Sequence, residues 1–299
     1  MRTLCLGEAI VDLVCRRPVA SLVEADSFAP FFGGASANVA VACARAGGQV
    51  ALAGGAGADA WGGWLCERLE AEGVGTEWFA LVEGLRTPVA FVTVDEHAQP
   101  SFTIYGEGIE ATIEAVAEHL EEAVDETDAL FIGSNTLVGE RERELTLAAR
   151  ERALALGHPI VFDPNFRLHR WSGSGAAAAE ARGLLEGCFL VKCNQREAAL
   201  ITGETDADAA AAGLVAAGVR HVVITRGDAG AMLRGQGLRR DVPCAPVQAL
   251  NTTGAGDAFV GVLLARLGQT DFYPPALAAG LPDAVAAATQ AVTRWGAVA

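Results

Sequence analysis

The fold is decided by one stretch, Asn251-Thr252-Thr253-Gly254-Ala255-Gly256-Asp257-Ala258-Phe259-Val260-Gly261. Its small-residue turn, Gly254-Ala255-Gly256, lets a ligand approach the backbone closely, because no bulky side chain stands between them. The apolar run over residues 258–267 predicts a buried helix directly after the turn. A helix that begins behind a glycine turn collects free N–H groups and the positive end of the helix dipole, so the stretch predicts an anion site.

Asp257 lies between the turn and the helix. A carboxylate at the mouth of an anion site repels phosphate, so we interpret it as a base that takes a proton from a group attacking that phosphate. The alternative is an ordinary helix with an acidic first turn, and a Gly-x-Gly turn by itself does not decide between the two.

Composition bounds the class of protein. With 299 residues, 51% hydrophobic and 20% charged, the chain is long enough for one large α/β domain or for one domain with a small appendage. The net charge of −15 disfavours nucleic acid as a partner, because phosphate backbones bind basic surfaces. The single lysine, Lys192, is not part of a Gly-x-x-x-x-Gly-Lys-Ser/Thr loop, which excludes a P-loop nucleotide site.

Targeting and redox features indicate the cytoplasm. No apolar run reaches the roughly 18 residues of a membrane-spanning helix, so we expect no membrane as a partner. The N-terminus enters a strand-like run over residues 3–7 without the layout of a signal peptide. The seven cysteines are scattered and form no Cys-x-x-Cys pair, so we expect reduced thiols and neither disulfides nor zinc ligands.

The chain begins with a strand pattern that carries one acidic residue. Residues 3–6 and 9–14 predict a first strand, interrupted by Gly7-Glu8. Asp12 is polar among apolar neighbours. It is either an outward-facing strand residue or a carboxylate at the exit of the strand that holds ligand hydroxyls.

A second turn of small residues follows at Gly33-Gly34. The pair interrupts the chain before a helix of small residues that runs to Ala46. Asn38 is the one long polar side chain in the body of that helix. Its amide either satisfies a neighbouring backbone group or holds a hydroxyl, since it offers both a donor and an acceptor.

The rest of the chain predicts a small sheet and a large one. Residues 88–95 and 101–105 predict a hairpin, which together with residues 16–32 forms a small sheet outside the main domain. From residue 109 onward helices and strands alternate, which indicates an α/β fold with a mostly parallel sheet and helices on both faces. The predicted strands are 129–132, 159–163, 188–192 and 221–225, the predicted helices are 110–124, 140–156, 174–186, 194–202 and 206–217, and a hairpin covers 230–241.

Polar residues follow three of these strands, and ligands of parallel α/β sheets bind where strands end. These candidate site residues lie in Asp163-Pro164-Asn165-Phe166-Arg167, in Lys192-Cys193-Asn194 with Glu197, and in Thr225-Arg226-Gly227-Asp228. Each segment alone is also typical of a turn or a helix cap.

Two motifs more than 200 residues apart resemble the signatures of the ribokinase-like (PfkB-type) sugar kinases. They are Thr-Thr-Gly-Ala-Gly-Asp at 252–257 and Gly-Gly-Ala-Ser-Ala-Asn at 33–38. The resemblance covers nearly the whole chain and implies a three-layer α/β/α, Rossmann-like fold with a small β-sheet lid over the sugar. The implied main domain comprises residues 1–15, 34–78 and 107–299, and the implied lid, which is also a dimer contact, comprises residues 16–33 and 79–106.

The resemblance also implies a role for each candidate residue, with ATP and Mg²⁺ as cofactors. Asp257 is the catalytic base, and Gly254, Ala255 and Gly256 form its anion hole. The implied sugar-binding residues are Asp12, Gly33, Gly34, Asn38, Asp163, Asn165 and Arg167. The implied nucleotide-binding residues are Asn194, Thr225 and Gly227, and Glu197 positions Mg²⁺ through water.

The chain departs from the family at two places. Family members usually carry an aspartate where this chain has Asn251, and that aspartate helps hold a monovalent cation behind the anion hole. Asparagine keeps an oxygen ligand but loses the charge, so we expect activity to depend little on potassium. The C-terminal helix over 285–292 lacks an asparagine that the family often places near the adenine, and the chain ends at Ala299, earlier than usual. We therefore expect loose selectivity for adenine.

The expected activity is ATP-dependent phosphorylation of a sugar primary hydroxyl. Gly-Glu-x-x-x-Asp at 7–12 and Asp-Pro-Asn-Phe-Arg at 163–167 resemble fructokinases, so fructose is the expected sugar. The alternatives are 2-keto-3-deoxygluconate and then ribose or a nucleoside. A different class, a non-catalytic sugar-binding protein with a kinase fold, is supported only by Asn251, whereas Asp257 and its turn favour the enzyme.

Overall fold

The structure of the protein, a computed structural model, describes residues 1–106 and 108–298. Glu107 and Ala299, the first and last residues of the expected range 107–299, lie outside the described residues. In chain order the strands are β1 (Arg2–Leu6), β2 (Ile10–Val14), β3 (Ala29–Gly33), β4 (Gln49–Gly57), β5 (Phe79–Val82), β6 (Val89–Val94), β7 (Pro100–Tyr105), β8 (Ala129–Gly133), β9 (Ile160–Asp163), β10 (Leu190–Asn194), β11 (His221–Thr225), β12 (Ala231–Gly235) and β13 (Leu238–Val242). The α-helices are α1 (Ala35–Arg45), α2 (Ala60–Ala71), α3 (Ile109–Ala115), α4 (Leu120–Asp125), α5 (Glu140–Leu156), α6 (Ser174–Leu184), α7 (Gln195–Thr202), α8 (Ala207–Ala216), α9 (Ala255–Gly268) and α10 (Pro275–Ala291).

The main sheet has the order β13-β12-β11-β10-β9-β8-β1-β4-β5. It is parallel from β5 to β11, and the β12–β13 hairpin adds two antiparallel strands at one edge. The buried strands are nearly continuous apolar runs, as expected for a sheet covered on both faces. In β1, for example, Cys5 packs into one core and Leu4 and Leu6 pack into the other, because successive side chains point to opposite faces.

Helices cover both faces of this sheet. Side chains of α1, α2, α9 and α10 join the core on one face, and side chains of α3 to α8 join the core on the other. The expected three-layer α/β/α fold is confirmed. In the part of the chain that the structure describes, no helix combines the length and apolar character needed to cross a membrane.

The position of β1 indicates where this fold can bind a ligand. The chain leaves β1 for β4 on one side and later returns to β8 on the other side. A crevice opens at such a switch point, beyond the carboxyl ends of the strands. Glu8 follows β1 and Ser134 follows β8, so polar residues lie at this crevice.

The small sheet has the order β3-β2-β6-β7 and a core of its own, formed by Ile10, Val14, Ala90 and Val92. Two strands fall on the other side of the expected boundary. Residues 10–14, which we expected to continue the first strand in the main domain, pair with β3 and β6 in the small sheet. Residues 79–82, which we assigned to the lid, pair with β4 at the edge of the main sheet. A short apolar strand fits either sheet, and only the pairing partners decide between them.

Two predicted helices differ from the structure by more than a few residues. The segment 110–124 is divided, because a 3₁₀ turn over Ala117–His119 redirects the chain between two buried residues, Ile113 and Leu120. The C-terminal helix is longer than predicted and begins at Pro275, since proline is tolerated in the first turn of a helix, and it also accommodates Pro282.

Candidate active site

The predicted anion-binding turn opens helix α9. Gly254 adopts a left-handed backbone conformation with φ of +78°. A Cβ atom at this position would lie 2.4 Å from Cα of Ala297, so only glycine fits both the angle and the close approach. Asp257 lies in the first turn of α9 and is buried. Its carboxylate is therefore close to the positive end of the helix dipole.

Both oxygens of the Asp257 carboxylate accept hydrogen bonds from amide side chains. Asn38 Nδ2 donates to Oδ2 at 2.9 Å, and Asn165 Nδ2 donates to Oδ1 at 3.1 Å. The Oδ1 atom of Asn165 accepts in turn from Arg167 Nη1 at 2.7 Å. The fold thus joins four predicted site residues from three distant segments into one hydrogen-bonded chain.

The surroundings of Asp257 suit a general base. Burial raises the pKa of this carboxyl to about 6, and the Arg167 charge and the hydrogen bond from Asn38 oppose the rise. At neutral pH the carboxylate is therefore mostly ionised, yet its proton affinity is higher than that of an exposed aspartate. A buried carboxyl with a shifted pKa beside specific charge partners is typical of a functional site.

Asp12 lies beside the glycine pair, in the corner where we expect hydroxyl groups to bind. Asp12 lies in β2 and is buried, and a Cβ atom on Gly33 would lie 2.2 Å from its Oδ1 atom. Burial raises the pKa of Asp12 to about 8, Arg167 lowers it and Asp257 raises it further. Among the described residues, Asp12 Oδ1 and Asn38 Oδ1 have no hydrogen-bond partner. Buried polar atoms are normally paired, so these two oxygens are suited to ligand hydroxyls.

Gly34 and Glu8 connect this corner to helix α1. Gly34, with φ of +90°, precedes the helix. Glu8 Oε1 accepts from the Ala35 backbone N–H at 2.9 Å and from Asn135 Nδ2 at 2.7 Å. Neither Glu8 nor Asn135 was among the predicted site residues. The available signals were the Gly7-Glu8 interruption and a polar residue shortly after strand 129–132, and neither signal indicates a partner.

Lys192 lies in a segment that the sequence analysis singled out, but the sequence assigned it no role. Its Nζ atom donates to Asp163 Oδ2 at 2.8 Å, and only 6% and 1% of the two side chains are exposed. Burial acts against the charge of Lys192. The carboxylates of Asp163, Glu197 and Asp257 outweigh burial and raise the pKa of the ammonium group. The same Nζ atom lies 2.8 Å from where a Cβ atom on Gly256 would lie, so a buried cation adjoins the anion-binding turn.

The spacing of Asn194 and Glu197 has a structural explanation. Asn194 Oδ1 accepts from the Glu197 backbone N–H at 2.9 Å, and Glu197 Oε2 accepts from the Asn194 backbone N–H at 2.8 Å. This reciprocal pair is a capping box for α7. Glu197 Oε1 accepts from the Phe166 backbone N–H at 3.1 Å, which ties the helix to the loop after β9. Burial and the nearby Asp163 raise the pKa of Glu197.

A cavity of about 550 Å³ adjoins the turn of α9. The predicted residues Thr225 and Gly227 line it together with Ala255 and Gly256. Most of the opposite wall is apolar and was not predicted, with Val247, Ala249, Val285, Ala288 and Val292 as its main members. Apolar residues in a C-terminal helix also indicate ordinary core, so the sequence offers no signal for this wall.

Asn251 is fully buried beside the turn. Its Oδ1 atom accepts from the Thr253 backbone N–H at 2.9 Å, and among the described residues its Nδ2 atom has no partner. A cation near this side chain would therefore face an Oδ1 atom that already accepts a hydrogen bond and an Nδ2 group that carries positive partial charge. This side chain does not fit a tightly held monovalent cation.

The chain also matches a known protein family over nearly its whole length. A sequence profile described as pfkB family carbohydrate kinase matches residues 2–299. The chain belongs to the pfkB family. This kinase is therefore a sugar phosphotransferase, and a non-catalytic sugar-binding protein is no longer needed to explain it.

Individual proteins similar to this kinase are themselves sugar or riboside kinases. Fructokinase-1 of Oryza sativa subsp. japonica is 33% identical over 264 residues, which cover 88% of this chain and 82% of that one. The structure of aminoimidazole riboside kinase from Salmonella enterica, complexed with aminoimidazole riboside and an ATP analog, aligns with a TM-score of 0.84 at 26% identity over 100% and 95% of the two chains. The fructokinase from Vibrio cholerae O395, bound to fructose, ADP and a calcium ion, aligns with a TM-score of 0.82 at 29% identity over 99% and 94%. Nucleotides and metal ions are thus bound by members of this family.

The buried pair gives a test of the site's electrostatics. We expect Lys192→Met to lower the free energy of unfolding by about 3–5 kcal/mol, because it leaves the Asp163 charge buried without its partner. The double variant Lys192→Met/Asp163→Leu removes both charges and should regain most of that loss. Urea unfolding of the three proteins measures the difference. A single variant as stable as the wild-type kinase would contradict the assignment of a buried ion pair.

Proposed function

We propose that the kinase is a fructokinase, which transfers the γ-phosphoryl group of ATP to a primary hydroxyl of fructose. The position of Asp257 carries the proposal. Its carboxylate is bonded to Asn38 on the hydroxyl-binding side, and its helix begins with residues that line the cavity on the other side. A base in this position lies between a sugar hydroxyl and a nucleotide phosphate. The similarity to fructokinases supports fructose as the sugar.

The proposed step is an in-line displacement. The sugar hydroxyl oxygen forms a bond to the γ-phosphorus while Asp257 accepts the hydroxyl proton. The bond between the γ-phosphorus and the β–γ bridging oxygen breaks, and its electron pair leaves with ADP. The N–H groups of Gly254, Ala255 and Gly256 stabilise charge on the transferred group, and each such donor contributes about 10²–10³-fold to the rate in comparable sites.

The sugar is proposed to bind between the two sheets. Asp12 and Asn38 supply oxygens for hydroxyl groups. Gly33 leaves room for the Asp12 carboxylate, and Gly34 leaves room for the Glu8 backbone. Arg167 adds a charge that lowers the pKa of Asp12 and Asp257. Asp12 belongs to the small sheet, so movement of that sheet changes the sugar site directly. This supports the proposal that the small sheet is a lid over the sugar.

The nucleotide is proposed to lie in the cavity of about 550 Å³. Thr225 and Gly227 then flank its phosphates, Asn194 lies beside Thr225 in the sheet register, and the apolar wall receives the base. Mg²⁺ fits this site only in part, because both oxygens of Glu197 already accept backbone hydrogen bonds. Glu197 is therefore suited to hold the ion through water, as expected, and Mg²⁺ supplies neutralisation of phosphate charge when bound.

Two further aspects belong to the proposal. The exposed Ile104 and Tyr105 on β7 give the lid an apolar outer edge that a second copy of the chain would cover in a homodimer. All seven cysteines are free thiols, which supports the reducing cytoplasm as the location.

A sugar panel tests the proposed substrate. Release of ADP should be fastest with fructose among fructose, 2-keto-3-deoxygluconate, ribose and aminoimidazole riboside. The riboside is the second candidate, because the structure of a riboside kinase aligns with the whole chain. A kcat/KM for any other member of the panel that exceeds the fructose value would replace fructose as the substrate.

Residue 251 gives a test of cation dependence. The wild-type kinase should keep nearly the same rate when potassium is replaced by a bulky organic cation at equal ionic strength, because Asn251 offers no charge to hold potassium. Asn251→Asp adds that charge and should make the rate more responsive to potassium. Equal and strong activation of both proteins would show that backbone carbonyls, and not residue 251, hold the ion.

A further inference from the structure

Asn165 contacts the proposed base with one end of its side chain and an arginine with the other. Its Nδ2 atom donates to Asp257 Oδ1 at 3.1 Å, and its Oδ1 atom accepts from Arg167 Nη1 at 2.7 Å. Both ends of the amide are therefore engaged within the protein. This is unlike Asp12 and Asn38, each of which has a buried oxygen with no partner among the described residues.

The backbone of Asn165 is held in an uncommon conformation. Its φ is +37°, in the left-handed region that non-glycine residues seldom adopt, although asparagine adopts it more readily than most. The neighbouring Phe166 N–H donates to Glu197 Oε1 at 3.1 Å, which fixes the loop in place. Strain of this kind persists where surrounding structure imposes it, and it is concentrated at functional sites. Here its effect is to bring the amide to the base.

The second amide donor restricts the orientation of the Asp257 carboxylate and favours its ionised form. With Asn38 on one oxygen and Asn165 on the other, the plane of the carboxylate is fixed, and one lone-pair direction on each oxygen is occupied. Hydrogen bonds to the charged form favour that form. The bond from Asn38 acts in this way against burial, which favours the neutral acid, and the bond from Asn165 is a second donor to the same carboxylate.

Other charges face the same carboxylate from each neighbouring element. Asp163 on β9 disfavours its ionisation, whereas Arg167 after β9 and Lys192 on β10 favour it. The charge of Asp257 in turn raises the pKa of Asp12 on β2. The two amides are neutral, so they influence the base by geometry and hydrogen bonding without adding a charge that attracts phosphate.

We propose that Asn165 is a positioning residue for the base: its amide, held by Arg167, orients the carboxylate of Asp257 and keeps it ionised. The proposal rests on the role of Asp257 as the base and replaces sugar binding as the function of the Asn165 side chain. The two roles have different kinetic consequences. A residue that positions the base affects kcat and its pH dependence and leaves sugar affinity nearly unchanged, whereas a residue that binds the sugar affects sugar affinity.

Two substitutions preserve the backbone and change the side chain. Asn165→Gly tolerates a positive φ and deletes the amide. Asn165→Asp also tolerates this conformation and replaces the donor with a carboxylate facing Asp257. Leu168→Ala, an exposed residue in the same loop, is the matched control and should behave as the wild type.

The kinetic result expected for Asn165→Gly at pH 7 is a kcat about 10–10²-fold lower, within the range of a disturbed general base, with the sugar KM within about threefold of wild type. The wild-type rate should rise with pH through about 6, because the base acts in its ionised form. That midpoint should move upward by about one pH unit in the glycine variant and further in the aspartate variant, since one loses a donor and the other gains a like charge. A sugar KM raised tenfold or more with an unmoved pH profile would overturn the proposal and return Asn165 to the sugar site.

A measurement on the wild-type protein tests the contact without turnover. In an NMR pH titration, the side-chain amide signal of Asn165 should shift with the same midpoint as the carboxyl-carbon signal of Asp257. The Asp257 signal is assigned as the one that disappears in the Asp257→Asn variant. An Asn165 signal that ignores this titration would contradict the contact. If the kinase proved inactive on every sugar but the two signals titrated together, the substrate would be wrong and the positioning contact right.

Discussion

The hydrogen bond between Asn38 and Asp257 is the constraint on which the site depends. It joins residues 219 positions apart, one from helix α1 and one from helix α9. The two helices pack closely enough for this because Gly261 faces α1, where a Cβ atom would lie 2.5 Å from Cβ of Ala42. Small residues along α1 therefore have a purpose beyond helix formation: they let the hydroxyl-binding corner approach the anion-binding turn. Without that approach the proposed base would be separated from the hydroxyl that we propose it deprotonates.

The site concentrates charge that burial makes costly. Asp12, Asp163, Glu197 and Asp257 are all buried, and burial is the main cause that raises the pKa of three of them. Arg167 and Lys192 are the cations that act on this group. A chain with a net charge of −15 thus places its only lysine beside the turn that we propose to bind phosphate. The arrangement leaves Asp257 ionised at neutral pH and Asp12 mostly protonated, so two similar side chains have different chemistry.

Local sequence patterns were sufficient for part of this account. The glycine turns at 33–34 and 254–256 and the alternation after residue 109 depend on a few neighbouring residues, and they led to the fold and to Asp257. The assignment of residues 10–14 to the main domain was wrong because strand pairing is decided by distant partners. The Lys192–Asp163 pair and the Asn165–Asp257 contact were missed for the same reason. Asn194 and Glu197 show that a recognised spacing can also have a purely structural cause. The spacing associated with a kinase site is also the spacing of a capping box.

The turnover of Asp257→Asn tests the central claim most directly. The substitution keeps the size and the hydrogen-bonding shape of the side chain and removes its ability to accept a proton. The account predicts that turnover falls about 10²–10⁴-fold, the usual contribution of a positioned general base, while calorimetry shows ATP still bound. A variant that turns over at nearly the wild-type rate would contradict the account, because the proton would then be taken by another group.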